Sequence, residues 1–157
     1  MEQKISASEL IYRAEKAETA GNLNEALNLY LQAAESGDAY AMFRVGDYYS
    51  AQGNDTEAFK WHMKSAELGA SYAMNEIATM YFKGAGVARN ESEGLKWLKK
   101  SAALKNPTAM AMLARMYEIG YIVEQDISEA LKLYTEAANA GEEHARQRLN
   151  QLFDEGR

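Results

Sequence analysis

The chain repeats itself. The triplets Glu25-Ala26-Leu27, Glu57-Ala58-Phe59, Glu93-Gly94-Leu95 and Glu129-Ala130-Leu131 recur at intervals of 32, 36 and 36 residues. A unit of that size is too small to bury its own apolar face and must stack on its neighbours. The repeat therefore predicts an elongated array whose core is a series of interfaces between units, not a globule built around one catalytic cleft.

Each unit reads as two helices. The second helix is announced by an Asn or Asp three residues before a Glu: Asn22 with Glu25, Asn54 with Glu57, Asn90 with Glu93, and Asp126 with Glu129. At that spacing the cap side chain can accept a bond from an orphan backbone N–H while the Glu reaches back toward the cap. Small pairs follow, Ala33-Ala34, Ser65-Ala66, Ser101-Ala102 and Ala137-Ala138, which let neighbouring helices approach; Leu29, Trp61, Trp97 and Leu133 fill the space beside them. Gly37, Gly69 and Gly141 then end three of these helices as left-handed caps. Lys105 interrupts that series, and Asn106-Pro107 supplies the stop and restart.

The first helices align in four columns: Met42, Met74 and Met110; Val45, Ile77 and Leu113; Gly46, Ala78 and Ala114; Tyr49, Tyr81 and Tyr117. Offsets of three, one and three put these on one helical stripe, which reads as core. Leu10, Ala14 and Ala17 at one end, and Leu149, Asn150 and Phe153 at the other, continue the pattern as more polar terminal caps. The two longer intervals come from linker inserts, Gly84-Ala85-Gly86-Val87 and Gly120-Tyr121-Ile122-Val123. Glycine there supplies a positive φ at a tight helix exit, and the valine tucks back into the stack.

Composition narrows the function. The single proline in the chain favours helix almost throughout, and the absence of cysteine excludes disulfides, thiolate metal sites and a cysteine nucleophile. The net charge of −6 lacks the basic footprint of a nucleic-acid binder. Charge is uneven, with six Lys/Arg against three Asp/Glu in residues 71–106 and three against seven in residues 1–38. The lysine-rich helix carrying Lys96, Lys99 and Lys100 reads first as a solvated face. No stretch has the length of a membrane span, and the N-terminus has no apolar leader region, so a cytoplasmic location without membrane insertion is expected.

Ala73-Met74, Tyr81, Gly84-x-Gly86-Val87 and Gly94-Leu95-Lys96-Trp97 followed by Ser101-Ala102 resemble a Sel1-like repeat. The next unit, from Ala109-Met110 through Tyr117, Gly120, Val123, Asp126 and Glu129 to Gly141, is similar to the same pattern. The two shorter units resemble the related tetratricopeptide repeat through Gly46, Tyr49, Gly53 and Ala58, and the likeness spans about residues 8 to 153. Ile122, Lys105 and Gly94 depart from the pattern. The resemblance implies an all-α fold, an α/α superhelical solenoid of antiparallel helix pairs with about nine helices. Its units are 7–38, 39–70, 71–106 and 107–142, with a capping helix at 143–154, in a single domain. It also implies a concave face, lined by first helices, that holds a protein or peptide.

One step around the first helices from the core stripe lies a mixed second stripe. It comprises Tyr40, Phe43, Asp47 and Ser50; Tyr72, Asn75, Thr79 and Phe82; Thr108, Ala111, Arg115 and Glu118; and His144, Gln147 and Gln151. In the family this stripe points into the groove, which makes Tyr40, Phe43, Asp47, Tyr72, Asn75, Thr79, Phe82, Arg115 and Glu118 the candidate partner-binding residues. Aromatic anchors bury large area at little rotamer entropy, while Arg or Asn can fix a carboxylate or peptide amide. The same aromatics can instead pack between units, and Phe82 beneath the Gly84 loop.

Catalytic readings find little support. His62 and His144 each lack a second histidine at metal-ligand spacing, and His62, aligned with Tyr30, Leu98 and Tyr134, reads as a packing residue. Glu15 with Glu18, and Asp154 with Glu155, read as solvated helix charges with nothing to orient them as an acid/base pair. Gly84-Ala85-Gly86 is a fragment of a dinucleotide fingerprint, with Arg89 at the third glycine position and no strand before it. The sequence thus points to a non-enzymatic adaptor or scaffold, monomeric when free, that needs no cofactor or metal and binds another protein or peptide. The alternatives are an immunity protein or dedicated chaperone for one toxin or effector, and a self-assembling structural element. Against the last stand the polar terminal residues Arg146, Arg148, Asp154, Glu155 and Arg157.

Overall fold

A computed structural model describes residues 5–154 and 156; the terminal charges Glu155 and Arg157 lie outside the described residues. Among these residues the chain forms nine helices and no strand. They are α1 (Ala7–Thr19), α2 (Leu23–Glu35), α3 (Ala39–Ala51), α4 (Asp55–Glu67), α5 (Ser71–Lys83), α6 (Glu91–Ala103), α7 (Pro107–Ile119), α8 (Ile127–Asn139) and α9 (Glu143–Asp154). Odd-numbered and even-numbered helices pair antiparallel, and each pair packs on the next to give an α/α solenoid.

Local chemistry sets the helix starts. Ser6, Asp38, Asn54, Asn90, Asn106 and Asp126 each accept a bond from the backbone N–H three residues on, at 2.8 to 3.3 Å. Asn22 does not, although its backbone nearly matches that of Asn54; the exposed start leaves those N–H groups open to solvent. The glutamates expected to reach back do something else. Glu57, Glu93 and Glu129 pair with Lys60, Lys96 and Lys132 one turn on, at 2.5, 3.4 and 3.3 Å, a geometry the helix offers at no cost to its first turn.

Left-handed residues end the second helices at Gly37, Gly69 and Gly141. Lys105 itself takes this conformation, with φ 61°, so the stop does not wait for Asn106-Pro107. Its side chain reaches Glu136 of α8 at 2.6 Å. The longer linkers leave α5 and α7 through left-handed Gly84 and Gly120. In the first of them Gly86 rests on the start of α4: a Cβ there would lie 2.0 Å from the Asp55 carbonyl. In the second, Ile122 keeps the same positive φ of 63° and packs its side chain against the core.

The core runs the length of the stack and is built largely of alanine. Ala14, Ala26, Ala41, Ala58, Ala73, Ala78, Ala109, Ala114, Ala130 and Ala145 are fully buried, with Tyr30, Val45, Ile77, Leu98, Met110 and Leu152 between them. The small pairs of the second helices are buried as expected, and Ser65 and Ser101 each donate to a carbonyl at the start of their partner helix, at Ala39 and Ser71, both 2.7 Å. At the C-terminal end the predicted columns fail in part. Leu149 is buried, but Asn150 and Phe153 are exposed and Leu152 takes the inner place, because among the described residues no further helix covers that side of α9.

Candidate functional site

Side-chain contacts link first helices to one another, α1 to α3 through Glu18–Arg44, α3 to α5 through Tyr40–Tyr72 and α7 to α9 through Glu118–Arg148, so the second stripe runs from one first helix to the next. Its candidate residues separate into three groups. Tyr40, Phe43 and Tyr72 make an aromatic bridge from α3 to α5, with ring centroids 6.4 Å apart for Tyr40–Tyr72 and 4.7 Å for Phe43–Tyr72, both edge-on. They pack between units and still leave Tyr40 exposed and the other two half-buried. Phe82 turns toward α6, where its ring lies so close over Gly94 that a Cβ would come within 2.5 Å. Asn75 is buried, and Thr79 donates to its backbone carbonyl at 3.1 Å. Arg115 is exposed, whereas Glu118 is buried at 7% exposure and is not the open groove residue expected.

Glu118 belongs to a clamp that joins three helices. Its carboxylate accepts the Tyr134 hydroxyl of α8 at 2.8 Å and the Arg148 guanidinium of α9, through Nε at 3.0 Å and through Nη2. The Arg148 bonds hold the Glu118 carboxyl below the usual carboxylate range, and burial pushes the Tyr134 hydroxyl well above its ordinary value. At the other end of the stack Glu18 of α1 does the same with Tyr30 of α2 (3.2 Å) and Arg44 of α3 (2.6 Å), and adds Tyr48 (2.6 Å). Glu18–Tyr30–Arg44 and Glu118–Tyr134–Arg148 occupy the same repeat positions, displaced only by the longer linker. These clamps were not read from the sequence, although the recurrence of Glu, Tyr and Arg in those columns was a visible signal.

In the two middle units the same positions hold Ser50, His62 and Glu76, and Phe82, Leu98 and Met112. Neither set can make the clamp. His62 is 2% exposed and fits over Gly46, where a Cβ would meet its ring at 2.6 Å. Its Nδ1 has no hydrogen-bond partner, and its Nε2 points at Asp47 Oδ1 across 3.8 Å, too far for a bond. Burial drives the imidazole down to about 4, so it is neutral at pH 7. Burial also raises Asp47 to about 6, against the pull of Arg44 and with the help of the Glu76 and Glu18 charges. Glu76 is raised by burial as well, opposed by Lys83. Asn75 Oδ1, on the same face, is likewise buried without a partner.

Between α7 and α9 the face opens into a groove of about 640 Å³. Arg115, Gln147 and Gln151 supply polar groups, Met112 and Ile119 supply apolar ones, and the Glu118 clamp forms part of the wall. Arg115 makes no ion pair among the described residues. An unpaired guanidinium beside amides suits a carboxylate or a peptide backbone. Among the described residues no group of three His, Asp or Glu side chains is placed to hold a metal, and no helix is long and apolar enough to cross a membrane.

Comparison with known proteins agrees with this architecture. The Sel1 repeat is matched over residues 16–38, 39–69, 71–106 and 107–142. A Sel1 repeat protein from Oxalobacter formigenes is 26% identical and superposes with a TM-score of 0.87 over 94% of this chain and 62% of its own. A protective antigen present in uropathogenic Escherichia coli strains, which displays an SLR fold, is 25% identical with a TM-score of 0.78, over 96% of this chain and 34% of its own. The chain thus spans less than two thirds of the length of either. No curated protein matches it.

Proposed function

We propose that this chain, which belongs to the Sel1 repeat family, is a non-catalytic adaptor or scaffold that holds a protein or peptide segment along the face of its first helices. Sel1 repeat proteins generally mediate protein–protein interaction, and the repeat is typically a non-catalytic scaffold. The observation that carries the reading to this face is the groove between α7 and α9, with the exposed Arg115 unpaired beside Gln147 and Gln151. The stack holds these groups at fixed spacing, so a ligand that meets them loses less ordering entropy than it would on a flexible surface. Tyr40, Phe43 and Tyr72 extend the same face toward the N-terminus as apolar anchors.

The test is affinity capture with the natural protein and an Arg115→Glu, Gln151→Lys variant shown by circular dichroism to be folded. Loss of the captured protein from the variant supports the first-helix groove. Equal retention moves the site to the second-helix face or the linkers.

A further inference from the structure

We propose that the centre of the first-helix face, where Asp47 and Glu76 lie beside the Tyr40–Phe43–Tyr72 bridge, binds an arginine or lysine side chain of the partner segment. The proposal rests on the groove reading above and adds the chemistry of its ligand.

The argument begins with charge. Five carboxylates face this region, Glu15 and Glu18 from α1, Asp38 at the cap of α3, Asp47 from α3 and Glu76 from α5; the cations that face them are Arg44 and Lys83. Arg44 is largely committed. One of its terminal nitrogens holds Glu18 at 2.6 Å, and the other donates to the Tyr30 and Tyr40 hydroxyls at 3.0 and 3.2 Å. That leaves Nε at 3.6 Å from Asp47, beyond hydrogen-bond reach. Neither Asp47 nor Glu76 accepts a hydrogen bond among the described residues, although both are partly buried. Asp47 keeps 41% of its side chain exposed, so it stays within reach of a ligand while its partial burial without donors carries a cost that a cationic donor relieves.

A second observation is independent of the acids. His62, with 3% of its side chain exposed, makes no hydrogen bond and aims Nε2 at Asp47. Asn75 Oδ1, also buried, has no donor either. At the two ends of the stack the positions of His62 and Glu76 are taken by the tyrosine and arginine of complete clamps, so in the middle those columns carry polar groups that the repeat satisfies elsewhere. The aromatic bridge completes the site: Phe43 lies 4.7 Å from Tyr72 and 5.2 Å from His62. A guanidinium can stack on such rings while its N–H fork reaches a carboxylate, and a lysine can do so as a point charge. Arg115 at the far end of the face takes the opposite charge, so the segment that fits carries a basic residue toward its α3–α5 end and an acidic group toward α7–α9.

The probe is a random 12-residue peptide library displayed on phage, panned on the natural protein and on an Asp47→Asn, Glu76→Gln variant. Peptides selected by the natural protein should share an Arg or Lys at one position. Replacing that residue by Ala, or using the variant protein, should weaken a selected peptide on the order of tenfold or more, the loss of one charge-assisted bond. The variant should keep or raise its melting temperature, which separates lost binding from lost fold. Selected peptides without a basic position, or binding that ignores the variant, overturn the proposal; if such peptides still release on Arg115→Glu, the groove reading stands and this inference alone falls. A library that enriches nothing overturns both.

Discussion

The outer joints of the stack and its middle solve the same packing problem with opposite chemistry. At α1–α2–α3 and α7–α8–α9 a glutamate from one first helix is held by the tyrosine of its own unit and the arginine of the next. In the middle the tyrosine becomes His62 or Leu98, the arginine becomes Glu76 or Met112, and the helices close over Gly46 and Gly94 instead. A buried ion pair is strong only when its remaining hydrogen bonds are met, and the ends meet them. The middle keeps acids on the same face without donors. Repeats that are interchangeable as packing units are therefore not interchangeable electrostatically.

The largest test of that contrast removes a clamp. Glu118→Ala removes the carboxylate that Arg148 and Tyr134 share, though Arg148 keeps its bond to Gln151, and should cost about 3 kcal/mol, read by urea denaturation, with amide exchange in α9 accelerating first. Glu18→Ala should cost less, about 1 to 2 kcal/mol, because Glu18 and Arg44 are both 22% exposed and solvent replaces part of what is lost. Equal losses would show that burial does not distinguish the two joints.

An effect smaller than that of Glu118→Ala is expected where the middle helices close up. Gly46→Ala drives a methyl group into the His62 ring and should cost about 2 kcal/mol. His62→Leu should rescue it, since Ala78 and Leu98 already fill the equivalent places one unit on. A double variant no more stable than the single would show that Gly46 serves some other purpose.

The smallest effect, and the most diagnostic, is in pH. Asp47 keeps its proton to about 6 in the folded chain, whereas the unfolded chain releases it near pH 4. Its contribution to stability therefore falls as pH rises from about 4 to 6. His62, lowered to about 4, acts in the opposite sense: its contribution is complete above the unfolded value near 6.5 and is lost as pH falls toward 4. Asp47→Asn should thus leave stability unchanged below pH 4, raise it above pH 6, and expose the His62 slope between. His62→Leu should expose the Asp47 slope. Melting temperatures at half-unit intervals of pH check both signs.

Much of the architecture was legible because it depends on local periodicity. The columns of Val45, Ile77 and Leu113 are buried where the 3.6-residue period places them, and the caps at Asn54, Asn90 and Asp126 follow from spacing alone. The face was less legible. Stripe position told that Phe82 and Glu118 lie near the groove, but not that Phe82 turns onto Gly94 or that Glu118 is spoken for by α8 and α9. Those outcomes depend on residues 12 to 30 positions away, across an interface whose register is set by linker length.

By itself, then, the sequence determined that the chain is an array of helix pairs, which residues form its spine, and where most helices begin, since each depends on interactions within a few turns. Only the tertiary structure decided which polar groups are satisfied: Glu18 and Glu118 are closed by partners from two other helices, while Asp47, His62 and Asn75 are left open. The reason is geometric. A helical period fixes the direction in which a side chain leaves its helix, but the identity of what it meets is settled by how one unit rests on the next.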